Sequence, residues 1–280
     1  MSNIDDQLRL MKDLLEKSIE EHGLKGKESL IRSSAFINMI HEAVKQDLID
    51  NGVDPLHLMP PKNMTKPEMR IAGFLKRKDQ DVCTTPVDIH PSRRKITWGP
   101  EAVENKYDEY GDEFTRKTLV INVRSQMSSL AKNTDTLFER TFAEPMNLHM
   151  IYNDLVLGEV YLIPVFEYEQ GTMTENQVTF VNHKTNIEKY IAFFDAVSGR
   201  NDISAELYKY ERCALLIVDF RSKTPKMYHN TKELIDDDLL PEKYPIEYAN
   251  ISYDNFIESL LKIYDNRFGL DHLTKSKPYF

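Results

Sequence analysis

Three apolar runs constrain the fold of this chain most strongly: Leu119–Val123, Val156–Val165 and Cys213–Phe220. Each has the length and composition of a buried strand, and Cys213–Phe220 is bounded by charged residues at both ends. Helical patterns follow the first two runs, and the second of these helices is predicted over 186–197. Strands that alternate with helices predict an α/β fold, a mixed central sheet flanked by helices. The run Cys213–Phe220 is the most continuously apolar, so we expect it near the centre of the sheet.

The segment before the sheet has a different pattern. Apolar residues at helical spacing predict helices over 5–22 and 29–50, with a glycine turn between them. These helices make an N-terminal helical segment, 1–52, too small to hold a core of its own. A proline-rich connection, 53–69, leads to the sheet-containing core, 70–280. We therefore predict one α/β domain that spans residues 1–280.

Composition excludes several classes of protein. Hydrophobic residues make up 41% and charged residues 29% of the 280 residues, as in ordinary globular proteins. No apolar run approaches the roughly 18 residues needed to cross a bilayer, and the acidic N-terminus does not resemble a signal peptide. The two cysteines, Cys83 and Cys213, have no metal-site spacing. A cytoplasmic protein is expected. The net charge of −9 argues against a non-specific nucleic-acid binder but leaves local basic faces open.

The first apolar run carries the best candidate site. Because side chains alternate along a strand, Asn122, Arg124 and Gln126 point to one face. Unpaired polar groups cost about 1–3 kcal/mol each when buried, so such a face is expected to open onto a cleft. The motif Thr136-x-x-Glu139 predicts that the next helix begins there, and Pro145 predicts its end or a kink.

Carboxylates that precede this strand complete a possible metal site. Asp79 and Asp81 lie just before the predicted strand Val82–Val87. Carboxylates on adjacent strands can hold Mg²⁺ for phosphodiester cleavage, and a nearby cation can stabilise the phosphorane. Arg124 would be that cation, and Gln126 could orient water. Signature motifs of P-loop, dinucleotide-binding, serine-hydrolase and zinc-protease sites are absent from the sequence.

Two segments resemble a known family. Gly73–Val82 (GFLKRKDQDV) and Val120–Gln126 (VINVRSQ) resemble the two core strands of the PD-(D/E)xK nuclease superfamily. They are most similar to type II restriction endonucleases whose second strand reads E-x-K-S-Q, followed by small residues and Lys-Asn. Here Lys132-Asn133 fits that continuation. The resemblance covers roughly residues 30–165 and implies a restriction-endonuclease-like fold.

The resemblance also implies roles for individual residues. The family's metal-binding aspartate falls on Asp81, or on Asp79 in another register. Its glutamate falls on Asn122 and its lysine on Arg124, and both positions depart from the family pattern. Arginine keeps the charge but cannot act as a base. A second carboxylate must then come from elsewhere, for example from Glu42 or Glu139.

The function that follows from the resemblance is a Mg²⁺-dependent, type II site-specific deoxyribonuclease. It would cut double-stranded DNA, and a palindromic target would imply a homodimer. Asp81, Asn122, Arg124 and Gln126 would form the catalytic group. Basic and amide side chains would contact the DNA, and the candidates are Lys76, Lys78, Arg93, Arg94, Lys132 and Asn133.

Other readings of the same residues stay open. The departure at Asn122 fits a non-catalytic DNA-binding protein on a nuclease-like scaffold. A structural or interaction protein could also satisfy these groups internally. Arg124 would then pair with Glu139 or Glu144, Asp79 and Asp81 would belong to a salt-bridged strand end, and Glu159 would pair with a buried cation.

Overall fold

A mixed sheet with helices on both faces organises the chain, as the computed structural model shows for residues 3–274. The α-helices are α1 (Asn3–Arg32), α2 (Ala35–Asp50), α3 (Asp112–Arg116), α4 (Leu130–His149), α5 (Gln170–Met173), α6 (Ile187–Val197), α7 (Thr231–Asp236) and α8 (Phe256–Phe268). The strands are β1 (Leu58–Met59), β2 (Met69–Ala72), β3 (Arg77–Gln80), β4 (Val82–Thr84), β5 (Arg94–Lys95), β6 (Tyr107–Asp108), β7 (Leu119–Ser125), β8 (Val156–Pro164), β9 (Arg212–Asp219) and β10 (Lys226–Met227).

The main sheet has the strand order β1-β4-β7-β8-β9-β10. Strands β1, β4 and β7 pair antiparallel, β7, β8 and β9 pair parallel, and β10 returns antiparallel at the edge. The parallel pairs require crossover connections, which contain α4 and α6. Strands β2 and β3, and β5 and β6, form two small antiparallel sheets. The predicted α/β class with an N-terminal helical segment is confirmed.

Two apolar layers bury the sheet. Residues of α1, α2 and α8 cover one face, and α4 and α6 contribute to the layer on the other. Gly158 in β8 lets α8 approach closely, because a Cβ there would lie 2.8 Å from the ring of Phe256. All nine residues of β8 are buried. Any charged side chain in this strand is therefore held in a medium of low dielectric constant.

The N-terminal segment differs from the prediction in its boundaries. Gly23, in the turn predicted to end the first helix, does break the helical geometry (φ 61°, ψ −145°). The chain then resumes a helix through Arg32, and α2 begins at Ala35 instead of Ser29. Glycine adopts a positive φ without the penalty of a side chain, so it marks the break correctly.

Helix α4 is longer than predicted at both ends. The carboxylate of Glu167 accepts hydrogen bonds from the backbone N–H groups of Ser129 and Leu130 (2.5 and 3.2 Å). It thereby caps the helix six residues before Thr136. At the other end Pro145 lies inside the helix, which continues to His149. Proline cannot donate to the carbonyl four residues earlier, and the Tyr210 hydroxyl donates to that oxygen, Thr141 O, at 3.1 Å.

Two further predictions about strands need correction. The predicted strand over 177–181 is absent, and a single bridge joins Tyr168 to Phe180. Strand β9 is fifth in an order of six, and two-residue β10 lies beside it at the edge. It is nevertheless almost fully buried, because helices cover both faces, and this explains its continuous apolar run. No helix in the described range is long and apolar enough to span a membrane.

Replacement of Leu216 by alanine tests the buried position of β9. Leu216 is fully buried, so the change should lower the free energy of unfolding by about 2–5 kcal/mol. Denaturant titration measures the loss. Leu56 is 86% exposed, and Leu56→Ala, the control, should change stability by less than about 0.5 kcal/mol. Equal effects of the two changes would contradict the position of β9.

Candidate functional site

Three polar side chains form one row across neighbouring strands. Val82 of β4 is paired with Ile121 of β7. Asp81 directly precedes Val82, and its carboxylate accepts a hydrogen bond from the backbone N–H of Val123, so Asp81 lies next to Asn122 at the end of β4. Asn122 is in turn paired with Glu159 of β8. Paired residues point to the same face of a sheet. We call Asp81, Asn122 and Glu159 the polar row.

The polar row runs from a half-buried end to a buried one. Asp81 is partly exposed, and its Oδ2 accepts a hydrogen bond from the backbone N–H of Val123 at 2.8 Å. Asn122 and Glu159 are fully buried. Within residues 3–274, the Oδ1 and Nδ2 atoms of Asn122 and both carboxylate oxygens of Glu159 have no hydrogen-bond partner. Such buried atoms cost free energy when they are unpaired, so the row contains buried oxygen atoms whose hydrogen-bonding capacity is unused.

Arg124 joins the polar row to helix α4. Its guanidinium donates to Glu144 Oε2 at 2.8 Å and to Thr141 Oγ1 at 3.1 Å. It also lies 3.4 Å from Glu159 Oε1. Glu144 is paired on its other oxygen with Lys78 of β3. Positive and negative groups therefore alternate in the order Lys78, Glu144, Arg124, Glu159, and we call these four residues the charge chain.

Burial controls the electrostatics of the charge chain. Desolvation raises the pKa of Glu159 to about 7, although Arg124 acts in the opposite direction. Desolvation alone would lower the pKa of Arg124, but Glu159 and other neighbouring acidic groups raise it above its ordinary value. Arg124 is therefore always charged. Glu159 exchanges its proton near neutral pH.

A buried histidine of α2, His41, lies within electrostatic range of Asp81. Its Nε2 atom is buried and has no hydrogen-bond partner among residues 3–274. Burial lowers the pKa of His41, whereas the negative charge of Asp81 acts to raise it. His41 is therefore a neutral imidazole at pH 7, within electrostatic range of the half-buried end of the polar row.

The other predicted metal ligands lie elsewhere. Asp79 pairs with Arg70 across the β2–β3 hairpin at 2.6 Å. Glu42 pairs with Lys45 at 2.7 Å and accepts a hydrogen bond from the backbone N–H of Asn63. Neither belongs to the polar row. Glu139 is exposed on α4, so it does not provide the second carboxylate of the row.

Gln126 follows β7 and turns back onto its own loop. Its side-chain amide donates to Ser128 O at 2.7 Å, and its backbone N–H donates to Leu162 O at 2.9 Å. The structure therefore brings together Asp81, Asn122 and Arg124 from the predicted catalytic group. Gln126 does not join them, because its side chain is hydrogen-bonded to Ser128 O.

The predicted DNA contacts fall into two groups. Arg93 pairs with Glu109, and Arg94 pairs with Asp108, both at 2.9 Å. Together with Lys78, which pairs with Glu144, these residues have acidic partners. The remaining candidates are exposed, and they are Lys76, Lys132 and Asn133.

Glu144 and Glu159 were not predicted as site residues, although the sequence did indicate ion pairs for both. The pairing of Glu159 with a cation is confirmed, although the side chain of Arg124 is 22% exposed instead of buried, and the pairing of Arg124 with Glu144 is also confirmed. The signal was a single charged residue inside an apolar strand. The position of Glu159 beside Asn122 depends on the register of β7 and β8, which the sequence does not reveal.

Comparisons with known proteins give no relative for this chain: no family model, no curated protein and no solved structure matches it. Within residues 3–274, no group of three or more histidine, cysteine, aspartate or glutamate side chains is arranged to hold a metal ion. A metal site at the polar row would therefore need the amide oxygen of Asn122 besides the two carboxylates.

Glu159→Gln should change how stability depends on pH. In the unfolded chain Glu159 ionises near its ordinary pKa of 4.5, whereas the folded protein keeps the proton until about pH 7. The folded state thus binds more protons in this window, so stability falls as pH rises from about 5 to 7 and then levels off. In Glu159→Gln this decrease in the free energy of unfolding, which is on the order of 3 kcal/mol, should be absent. Denaturant titrations at pH 5, 6, 7 and 8 measure it, and parallel profiles for the two proteins would refute the assignment.

Removal of Arg124 should destabilise the protein strongly. Arg124→Ala leaves Glu144 and Glu159 without their shared cation, and breaking such a buried pair costs about 3–5 kcal/mol. Arg124→Lys keeps the charge and should cost less. Urea unfolding at pH 7.5 compares the two variants. A loss below about 1 kcal/mol for Arg124→Ala would show that the charge chain contributes little stability.

Proposed function

We propose that this chain is a Mg²⁺-dependent nuclease that hydrolyses phosphodiester bonds of double-stranded DNA. The observation that carries the proposal is the polar row, in which Asp81, Asn122 and Glu159 are neighbours and the buried oxygen atoms of Asn122 and Glu159 accept no hydrogen bond from residues 3–274. Unpaired oxygen atoms of this kind are suited to a hard divalent cation. Arg124, two residues after Asn122, adds a permanent positive charge.

The positions of the residues agree with the resemblance to the PD-(D/E)xK nucleases. The first segment, Gly73–Val82, contains β3 of the small sheet and ends at Val82, the first residue of β4, and the second segment lies in β7. Of these three strands, only β4 and β7 are neighbours in the main sheet. Asp81 lies next to Asn122, the position at which the family has its glutamate. This arrangement supports a restriction-endonuclease-like fold and the restriction-type activity that we propose.

Glu159 would replace the acidic residue that the family has at the position of Asn122. Glu159 is paired in register with Asn122, so the carboxylate would come from β8, the neighbouring strand, instead of from β7. Asp81 and Glu159 with the Asn122 amide oxygen would hold Mg²⁺, which proteins often bind through one or two carboxylates plus water. When bound, the metal supplies positive charge to the phosphate and lowers the pKa of a water molecule.

Two cations of the charge chain would have different tasks. Arg124 cannot release its proton under physiological conditions, so it would stabilise negative charge on the phosphate. Lys78 forms an ion pair with Glu144. Lys78 would hold that carboxylate beside Arg124, in place of the DNA contact that the sequence suggested.

Substrate and assembly follow from the activity. The exposed residues Lys76, Lys132 and Asn133 would contact the phosphates of DNA. Cleavage of both strands at a palindromic target needs two sites related by two-fold symmetry, which a homodimer provides. A restriction-type nuclease would act in the cytoplasm.

A second candidate is a DNA-binding protein that does not cleave. The neutral Asn122 favours it, and so do the ion pairs of Arg124 with Glu144 and Glu159, which account for Arg124 without catalysis. This protein would use the same exposed basic residues. It would not depend on the metal.

Cleavage assays with site variants test the two candidates. Purified protein is incubated with methylated and unmethylated long duplex DNA and Mg²⁺, Mn²⁺ or EDTA. The parent should give discrete fragments only with metal. Asp81→Asn and Glu159→Gln should cut at least about 100-fold more slowly, because each removes a charge that the reaction requires.

Asp79→Asn is the matched control, since Asp79 pairs with Arg70 outside the polar row. It should cut at the parent rate. Retarded but intact DNA from the parent would favour the binding protein. Neither cleavage nor retardation on the DNAs tested would refute both candidates, and equal loss in the control would refute the role of the polar row.

A further inference from the structure

A small polar cavity lies where β9 begins, next to α8. It has a volume of about 130 Å³, and its polar lining consists of Arg212, Asn250, Ser252, Asn255 and Ser259. Arg212 begins β9 and is paired with Gly158. Because Gly158 has no side chain, α8 packs closely against the sheet here. The cavity thus lies between the first residues of β9 and the first turn of α8.

Arg212 has no partner for its charge. Its side chain makes no hydrogen bond, ion pair or ring contact with any residue in 3–274, and its Nε is buried. The adjacent acid, Glu211, is occupied by Arg200 and Arg267 at 3.1 and 2.8 Å. Arg212 as a whole is only partly buried. An oxygen atom of a ligand in the cavity would supply the acceptor that its buried Nε–H lacks.

The other polar groups of the cavity can also donate hydrogen bonds. The side-chain amides of Asn250 and Asn255 and the hydroxyl of Ser259 have no hydrogen-bond partner among the described residues. None of the residues that line the cavity is acidic. The nearby Asp254 is paired with His229 at 2.8 Å. The lining of the cavity therefore has one full positive charge and several hydrogen-bond donors, and it contains no negatively charged side chain.

The geometry points to a binding site for a tetrahedral oxyanion, either inorganic phosphate or the terminal phosphate of a nucleotide or DNA strand. The guanidinium fork matches two oxygens of such a group, and amides and hydroxyls can bind the others. A volume of about 130 Å³ is enough for one phosphate group. The site does not depend on the proposed nuclease activity.

Phosphate binding to the full chain tests the inference. Calorimetric titration with sodium phosphate and thermal unfolding in phosphate or chloride, at constant ionic strength, are measured for the parent, Arg212→Gln and Arg140→Gln. Arg140 is exposed and unpaired among the described residues, so its variant controls for the loss of one surface charge. Phosphate should bind to and stabilise the parent and the control. Affinity should fall at least about tenfold in Arg212→Gln, because a charged bidentate contact is lost.

The outcomes separate the sites and the sources of phosphate. No binding to the parent, or equal binding to all three proteins, overturns the site. If Arg212→Gln does not fold, Arg212→Lys keeps the charge without the fork, and unchanged affinity there overturns the role of Arg212. Oligonucleotides with and without a 5′-phosphate are compared next. A preference for the phosphorylated end that Arg212→Gln loses identifies a strand end, whereas phosphate binding without that preference identifies the free ion.

Discussion

The contact between Arg124 and two carboxylates, Glu144 and Glu159, is the interaction on which the site depends. Glu159 is fully buried in the middle of the sheet, where an isolated carboxylate could not stay ionised. The guanidinium compensates part of that cost and fixes α4 against β7 and β8 at the same time. Burial also raises the pKa of Glu159 to about 7, so the proton equilibrium of this carboxylate lies near neutral pH.

Helix α4 is adapted to this interaction along its length. The side-chain hydroxyl of Thr141 accepts a hydrogen bond from Arg124, and the backbone carbonyl oxygen of Thr141 accepts one from the hydroxyl of Tyr210. The Tyr210 hydroxyl replaces the backbone N–H that Pro145 lacks, so the helix continues beyond the proline. Glu144 therefore lies on a regular part of the helix, within hydrogen-bond distance of Arg124. At the start of the helix Glu167 supplies the cap. Tertiary contacts thus hold both ends of an element whose own sequence indicates a shorter helix.

Much of the fold could be predicted from the sequence because buried strands and helices have a recognisable pattern of apolar residues. The runs at Leu119–Val123, Val156–Val165 and Cys213–Phe220 became β7, β8 and β9, and the cap at Asn186 marks α6. Errors arose where distant residues decide the outcome. The strand predicted over 177–181 is reduced to one bridge. Helix α4 begins at Leu130 instead of Thr136 because its cap comes from a residue 37 positions later.

The sequence alone determined that Asn122 and Arg124 share a face of a buried strand, since side chains alternate in any strand. It also determined that Glu159, a charge within an apolar run, must find a cation. Only the tertiary structure decided that Asp81, Asn122 and Glu159 adjoin, because strand order and register are set by long-range pairing. The same pairing separated Asp79 from Asp81, two residues away in the chain, and left the first with Arg70 and the second at the head of the polar row.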